Sequence, residues 1–477
     1  MVRRRNDDRT VARALAGWLA LSAGCASGTG EPAASAPATA QAEPASEVEA
    51  SPAPEPAPPR TSAVQTEASR AAHEAAQTAM HGATLPDEPR VHFVPITAPA
   101  DGPDPLAAFH RALRRLEAGE DEDGKVRIAA YGASSTASDR YIGYLRRYFQ
   151  ARFGDAGPGF VSAVPLWQWH RHDRVKTTAS KHWVVEHAQK KKERLDGHYG
   201  VLGASAYATH KRARAKVVAS DREDVVAQLE LWFLAQPGGG TVELSGPAGK
   251  HSVSTAAETM SPGYYVVPLQ HAVPLELQLA AKGNGEVRLF GVVAEKSSPG
   301  VVIDTLGIGG TRITNHADWD EPLWRDGLMR RDPDLYLLAY GANESVDEDD
   351  EFVEYEPRLA EALKRFRQAV PRASCVLVGP QDFPMKVEPT EEDPEPDPQW
   401  VPRPRLDEVI TIQKRLAAER GCGYFDIRAM MGGQGAMEDW VTQEPALGRK
   451  DHLHLTPLGY GYLGRVLADA LMVSYDG

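Results

Sequence analysis

The chain has 477 residues, 42% apolar and 25% charged, the balance of a globular protein with room for two or three domains. Acidic residues outnumber basic ones, 66 to 53, and the formal net charge of -13 excludes nucleic acid as a default partner, because phosphate binding needs a basic face. Acidic residues bunch at 347–356 and again at 388–397; the second run cannot bury apolar area and reads as a solvated loop.

In chain order, Arg3, Arg4, Arg5, Arg9 and Arg13 precede an apolar run at 14–23, then Gly24 and Cys25. That is the layout of an export signal, since the run is too short to span a bilayer. Its end resembles a bacterial lipoprotein signal, which implies lipidation at Cys25 and a membrane anchor. Ser22 departs from the usual leucine, although Leu21 sits beside it, and an ordinary secretory signal is the alternative reading. Residues 26–60 are almost entirely Ala, Pro, Glu, Ser and Thr, a solvated tether. Residues 61–104 are alanine-rich and partly helical in pattern, without a strong apolar stripe.

Leu106, Phe109, Leu113 and Leu116 mark a helical face that opens the globular part. The stretch 126–139, VRIAAYGASSTASD, follows as a β-type run ending in small residues. A serine at a strand-to-helix turn is held at the sheet edge among backbone N–H groups, which makes Ser134 a candidate nucleophile; helix capping by Ser134 and Ser135 is the alternative. A helix at 140–153 ends at Gly154. From 301 the pattern alternates: strands at 301–307, 335–341, 375–378 and 424–427, helices at 321–329, 357–370, 406–420 and 457–473. Such alternation predicts an α/β fold with a doubly wound parallel sheet.

Between these parts, residues 162–299 form an interruption too long for a loop. Its second half reads as short strands separated by Gly, Pro and Asn, predicting an inserted β-sandwich-like domain. Its first half carries Trp167, Trp169 and Trp183 among His170, Arg171, His172, Arg174, Lys176, Lys181, His182, His187, Lys190, Lys191, Lys192 and Arg194. The histidines read as a solvated basic surface rather than a metal site, because no Cys or carboxylate stands at ligand spacing. The tryptophans either stack on sugar rings or pack a domain junction. With Cys25 used for lipid, Cys375 and Cys422 remain, each opening a strand; a disulfide and two buried thiols are both open readings.

Four stretches carry the chemistry: Gly132 to Thr136 around Ser134; LGIGGTRI with Gly310; YGANES with Asn343 and Glu344; and KDHLHLTPLGY with Asp451 and His454. All fall at carboxyl ends of predicted strands or on the loop into the last helix, where open parallel sheets place their sites. A hydroxyl, an imidazole, a carboxylate to orient it and N–H donors form a complete acyl-transfer set. In this order the residues resemble the SGNH, or GDSL, hydrolases, a flavodoxin-like fold, over 105–161 and 300–477.

The resemblance implies that Ser134 is the nucleophile, His454 the base and Asp451 its acid partner. It also implies an oxyanion hole from the backbone N–H groups of Ser134 and Gly310 and the amide of Asn343. Ala133 and Glu344 stand where the family usually has aspartate. His452 is expected to point away from the site, and Glu344 to stabilise a loop. A β-rich insertion at this point, and the stretch FGDAGPGFV at 153–161, are similar to bacterial peptidoglycan and polysaccharide O-acetylesterases of the superfamily. The expectation is an exported, lipid-anchored serine esterase of the cell envelope acting on an acetylated glycan, on the periplasmic side or outer membrane. It needs no metal or organic cofactor. O-acetyl transfer by the same triad and a non-catalytic glycan-binding lipoprotein are the alternatives.

Overall fold

The computed structural model describes residues 66–99, 102–189, 194–347, 349–388 and 399–477, the side chains of 350 and 351 aside. The signal, Cys25, the tether, the lysines at 190–192 and most of the second acidic run lie outside them.

Five parallel strands form the central sheet: β1 (Lys125–Gly132), β2 (Gly300–Gly307), β3 (Leu335–Ala339), β4 (Ser374–Val378) and β5 (Gly423–Phe425). Their spatial order is β2-β1-β3-β4-β5, the doubly wound order that reverses direction beside β1. The strands are mostly apolar because helices or the insertion cover both faces. Gly132 pairs with Gly307 on one side and Ala339 on the other, so three strands end level and their following loops meet.

The helices α1 (Glu67–His81), α2 (Ala107–Ala118), α3 (Ser134–Ala137), α4 (Arg140–Phe153), α5 (Glu321–Arg331), α6 (Tyr355–Ala369), α7 (Pro404–Glu419) and α8 (Pro457–Asp476) frame the sheet. Of the segment left open at 61–104, residues 66–99 are integral to the fold. Thr66 caps α1, whose buried face is Ser69, Ala72, His73, Ala76 and Gln77. These small and polar side chains let α1 lie close to α4 and α8, where His73 bonds both Tyr144 and Asp469. Further on, Thr97 exchanges backbone hydrogen bonds with Tyr424 and covers the edge of β5. Cys375 and Cys422 are joined by a disulfide, brought together because Val376 and Gly423 are partners across β4 and β5.

The insertion is two antiparallel sheets enclosing one core that contains Val217, Leu231, Leu244, Leu277, Leu279 and Val292. It starts earlier than 162, since Gly159–Val161 already pairs with strand Val287–Glu295. That strand is buried along its whole length: one face meets the sandwich core, while Phe290 and Val293 pack against Tyr131, Leu306 and Trp324 of the hydrolase half. Its sequence VRLFGVVAE therefore lacks the alternation of a half-exposed strand.

Two of the ion clusters at the junction are deeply buried. Arg146 of α4 holds Asp139 at 2.9 Å, Asp173 of the insertion and the Thr305 hydroxyl of β2. At the exit, Arg331 bonds Asp304 at 2.6 Å and Glu295 at 2.7 Å, and Glu295 also holds Lys125 and Arg127.

Candidate active site

Ser134 begins α3 directly after β1. Gly132 must lack a side chain there, because a Cβ would lie 2.1 Å from the Thr136 hydroxyl and 2.8 Å from the Ala339 carbonyl oxygen. The Ser134 Oγ lies 2.9 Å from His454 Nε2, and His454 Nδ1 lies 2.8 Å from Asp451 Oδ2. With Nδ1–H donating to the carboxylate, Nε2 is left to accept the serine proton. Burial pushes the Asp451 carboxyl up, but N–H groups of His454 and Leu453 and the His454 ring outweigh it and hold the group below its ordinary value. The Ser135 hydroxyl bonds that of Tyr460 at 2.9 Å rather than His454. His452 is turned to Glu438 at 2.9 Å and stacks on Trp400.

Asn343 shares a small recess with Ser134 and Ala133, and its amide donates to the Thr311 carbonyl at 2.9 Å. One amide hydrogen is used there, which fixes the side chain and leaves the second hydrogen available. Gly309, rather than Gly310, lines the cleft with Ser134; a side chain at Gly310 would meet Gln189 at 3.1 Å. Glu344 is fully buried between the loops after β2 and β3. Its carboxyl accepts the Ile313 N–H at 2.8 Å and the Gly341 N–H at 2.9 Å, and burial pushes it up to about 7 against those bonds. The residue that departs from the family pattern thus ties the two loops carrying Gly310 and Asn343.

The cleft over Ser134 has a volume of about 570 Å³. Trp167 and Trp169 form its insertion-side wall, Trp169 being 62% exposed. The backbone N–H of Arg171 donates to the Ala137 carbonyl at 3.0 Å, docking this loop on α3. Trp183 does not reach the site, because its indole is buried in the sandwich core.

Of the histidines expected on a solvated surface, His187 is buried and His170 and His172 are half-buried, while His182 stacks on His210. Arg174, too, is buried, paired with Asp155 and Asp224. Ligand atoms of Asp139, His172 and Asp173 lie within 4.8 Å of one another, yet Arg146 already bridges the two carboxylates. Sequence reasoning missed Arg140, Gln189, Arg449 and Tyr460, which also line the cleft.

Residues 277–462 match the GDSL-like Lipase/Acylhydrolase family model. The chain carries a GDSL-like acylhydrolase domain. With it come the SGNH hydrolase fold and the carboxylic ester hydrolase class. The matched stretch contains Gly310, Asn343, Asp451 and His454, while Ser134 precedes it across the insertion.

Among solved structures, a peptidoglycan O-acetylesterase is similar over 80% of this chain and 99% of its own, at 21% identity and a TM-score of 0.64. An acetyl xylan esterase matches over 35% of this chain and 78% of its own, at 16% identity and a TM-score of 0.26. A family two carbohydrate esterase from Cellvibrio japonicus matches over 63% and 98%, at 12% identity and a TM-score of 0.25. Only the first overlays at the level of the whole fold, insertion included. No curated protein matches the chain.

Proposed function

We propose that this acylhydrolase is an exported serine esterase that removes O-acetyl groups from peptidoglycan or another envelope polysaccharide. The observation that carries the reading is the hydrogen-bonded line from Ser134 through His454 to Asp451 at the reversal point of the sheet. Ser134 Oγ attacks the acetyl carbonyl as His454 takes its proton. N–H donors around the strand ends hold the oxyanion, and as the ester C–O bond breaks the protonated His454 gives its proton to the departing sugar oxygen, releasing the sugar hydroxyl. Water, deprotonated by His454, then frees acetate and restores the serine.

The His454 side chain is 32% exposed and that of Asp451 49%, so water reaches the acyl-enzyme and hydrolysis is favoured over transfer to a second sugar. The disulfide supports a compartment outside the reducing cytosol, in keeping with lipidation at Cys25. The whole-fold likeness to a peptidoglycan O-acetylesterase supports an acetylated glycan as substrate. The test is acetate release from O-acetylated peptidoglycan by wild type and Ser134→Ala. Loss of release in the variant is expected, and equal release by both would refute the assignment.

A further inference from the structure

The cleft over Ser134 is lined by Arg140, Arg171 and Arg449. They come from three separate parts of the chain: the start of α4, the insertion loop and the segment before Asp451. The buried arginines are each matched to a carboxylate, Arg146 to Asp139, Arg174 to Asp224, Arg288 to Asp196 and Arg331 to Asp304. These three are not. Arg449 Nε donates to the Leu455 carbonyl at 3.1 Å, Arg171 Nη1 to the His170 carbonyl at 3.4 Å, and among the described residues no carboxylate pairs with any of them. Asp451, the one carboxylate among the described residues that line the cleft, is taken up by His454. Like charges this close oppose one another; besides burial, Arg449 and Arg171 lower the pKa of Arg140.

Such a cluster is surprising in a chain with 66 acidic and 53 basic residues. It stands beside Trp167 and Trp169, faces on which a sugar ring can stack. Guanidinium groups recognise planar anions through paired N–H donors, and the aromatic wall adds the pyranose face. We propose that the cleft selects an acidic glycan, one whose acetylated unit or its neighbour bears a free carboxylate that Arg140, Arg171 and Arg449 bind. This rests on the esterase reading for its acetyl group but not for its charge. Two sources share the chemistry, uronic acids and muramic acid with its attached peptides.

The experiment is calorimetric titration of the full-length Ser134→Ala protein with three probes: an oligogalacturonide, a muramyl-peptide oligosaccharide and a neutral xylo-oligosaccharide. Expected is at least about tenfold tighter binding of one or both acidic probes than of the neutral one, weakening between about 50 and about 500 mM salt. The acidic probe that binds identifies the source. Arg140→Gln/Arg171→Gln should lose about tenfold or more for that probe and little for the neutral one. Arg449→Gln provides a second, independent variant should the double one fail to fold. Equal Kd values for acidic and neutral probes, or an acidic Kd unmoved by either variant, would overturn the proposal. Hydrolysis of p-nitrophenyl acetate by the wild type reads the esterase assignment separately: its absence alongside retained acidic selectivity would remove the esterase reading and leave this one standing.

Discussion

Replacing Glu344 probes how the two loops beside Ser134 are held. Its carboxyl accepts two backbone N–H groups, those of Ile313 and Gly341, in a fully buried position. Glu344→Ala strands both donors, and each stranded donor costs about 1–3 kcal/mol, so a loss of about 2–6 kcal/mol is expected. Glu344→Gln keeps one acceptor and turns an NH2 group toward the other donor, for about 1–3 kcal/mol.

The pH dependence has a definite sign. Burial raises the folded-state value from 4.5 to about 7, so between these pH values the folded protein binds the extra proton. Stability contributed by Glu344 is therefore full below about pH 4.5 and declines by about 3 kcal/mol as pH rises through 7. Urea unfolding of wild type and Glu344→Gln from pH 4.5 to 8 should show wild type ahead at the acid end and the gap shrinking upward. A constant gap, or an alanine variant within about 0.5 kcal/mol of wild type, would refute the account.

Asp451→Asn should lower kcat on an acetate ester by about 10²–10⁴-fold, since the amide favours the wrong His454 tautomer; a steady-state comparison at one pH checks it. Gly309→Ala places a Cβ 2.8 Å from the Trp167 indole, so the wall must shift, and a rise in KM for glycan larger than that for p-nitrophenyl acetate is expected. Removing the disulfide by Cys375→Ala/Cys422→Ala opens a loop with a sequence separation of 47 and should cost about 2–4 kcal/mol in denaturant melts, with kcat nearly unchanged.

The strands and helices of the hydrolase half were legible because fully buried parallel strands read as short apolar runs and the helices between them keep a 3.6-residue period. Helix α1 was not, because its buried face is alanine, serine, histidine and glutamine, chosen for close approach rather than hydrophobicity. In the insertion's first half, strands Val175–Ala179 and Val184–His187 carry lysine, threonine and glutamate and lack an apolar signature. For the site, strand-end placement drew attention to Ser134, Asn343, Asp451 and His454. The convergence of Arg140, Arg171 and Arg449 had no sequence signal, since it arises only when α4, the insertion loop and the loop before α8 fold together. Trp169 and Trp183 looked alike in sequence, yet one opens to the cleft and the other fills the sandwich.

The ion clusters at the junction make this a molecule that cannot be divided. Excising the sandwich would strip Asp173 from Arg146 and Glu295 from Arg331, leaving each guanidinium with one carboxylate, Asp139 or Asp304, where it now has two. It would also bare Tyr131, Leu306 and Trp324. A minimal hydrolase cut from this chain would aggregate, and transplanting the sandwich onto another hydrolase would require carrying Arg146 and Arg331 with it.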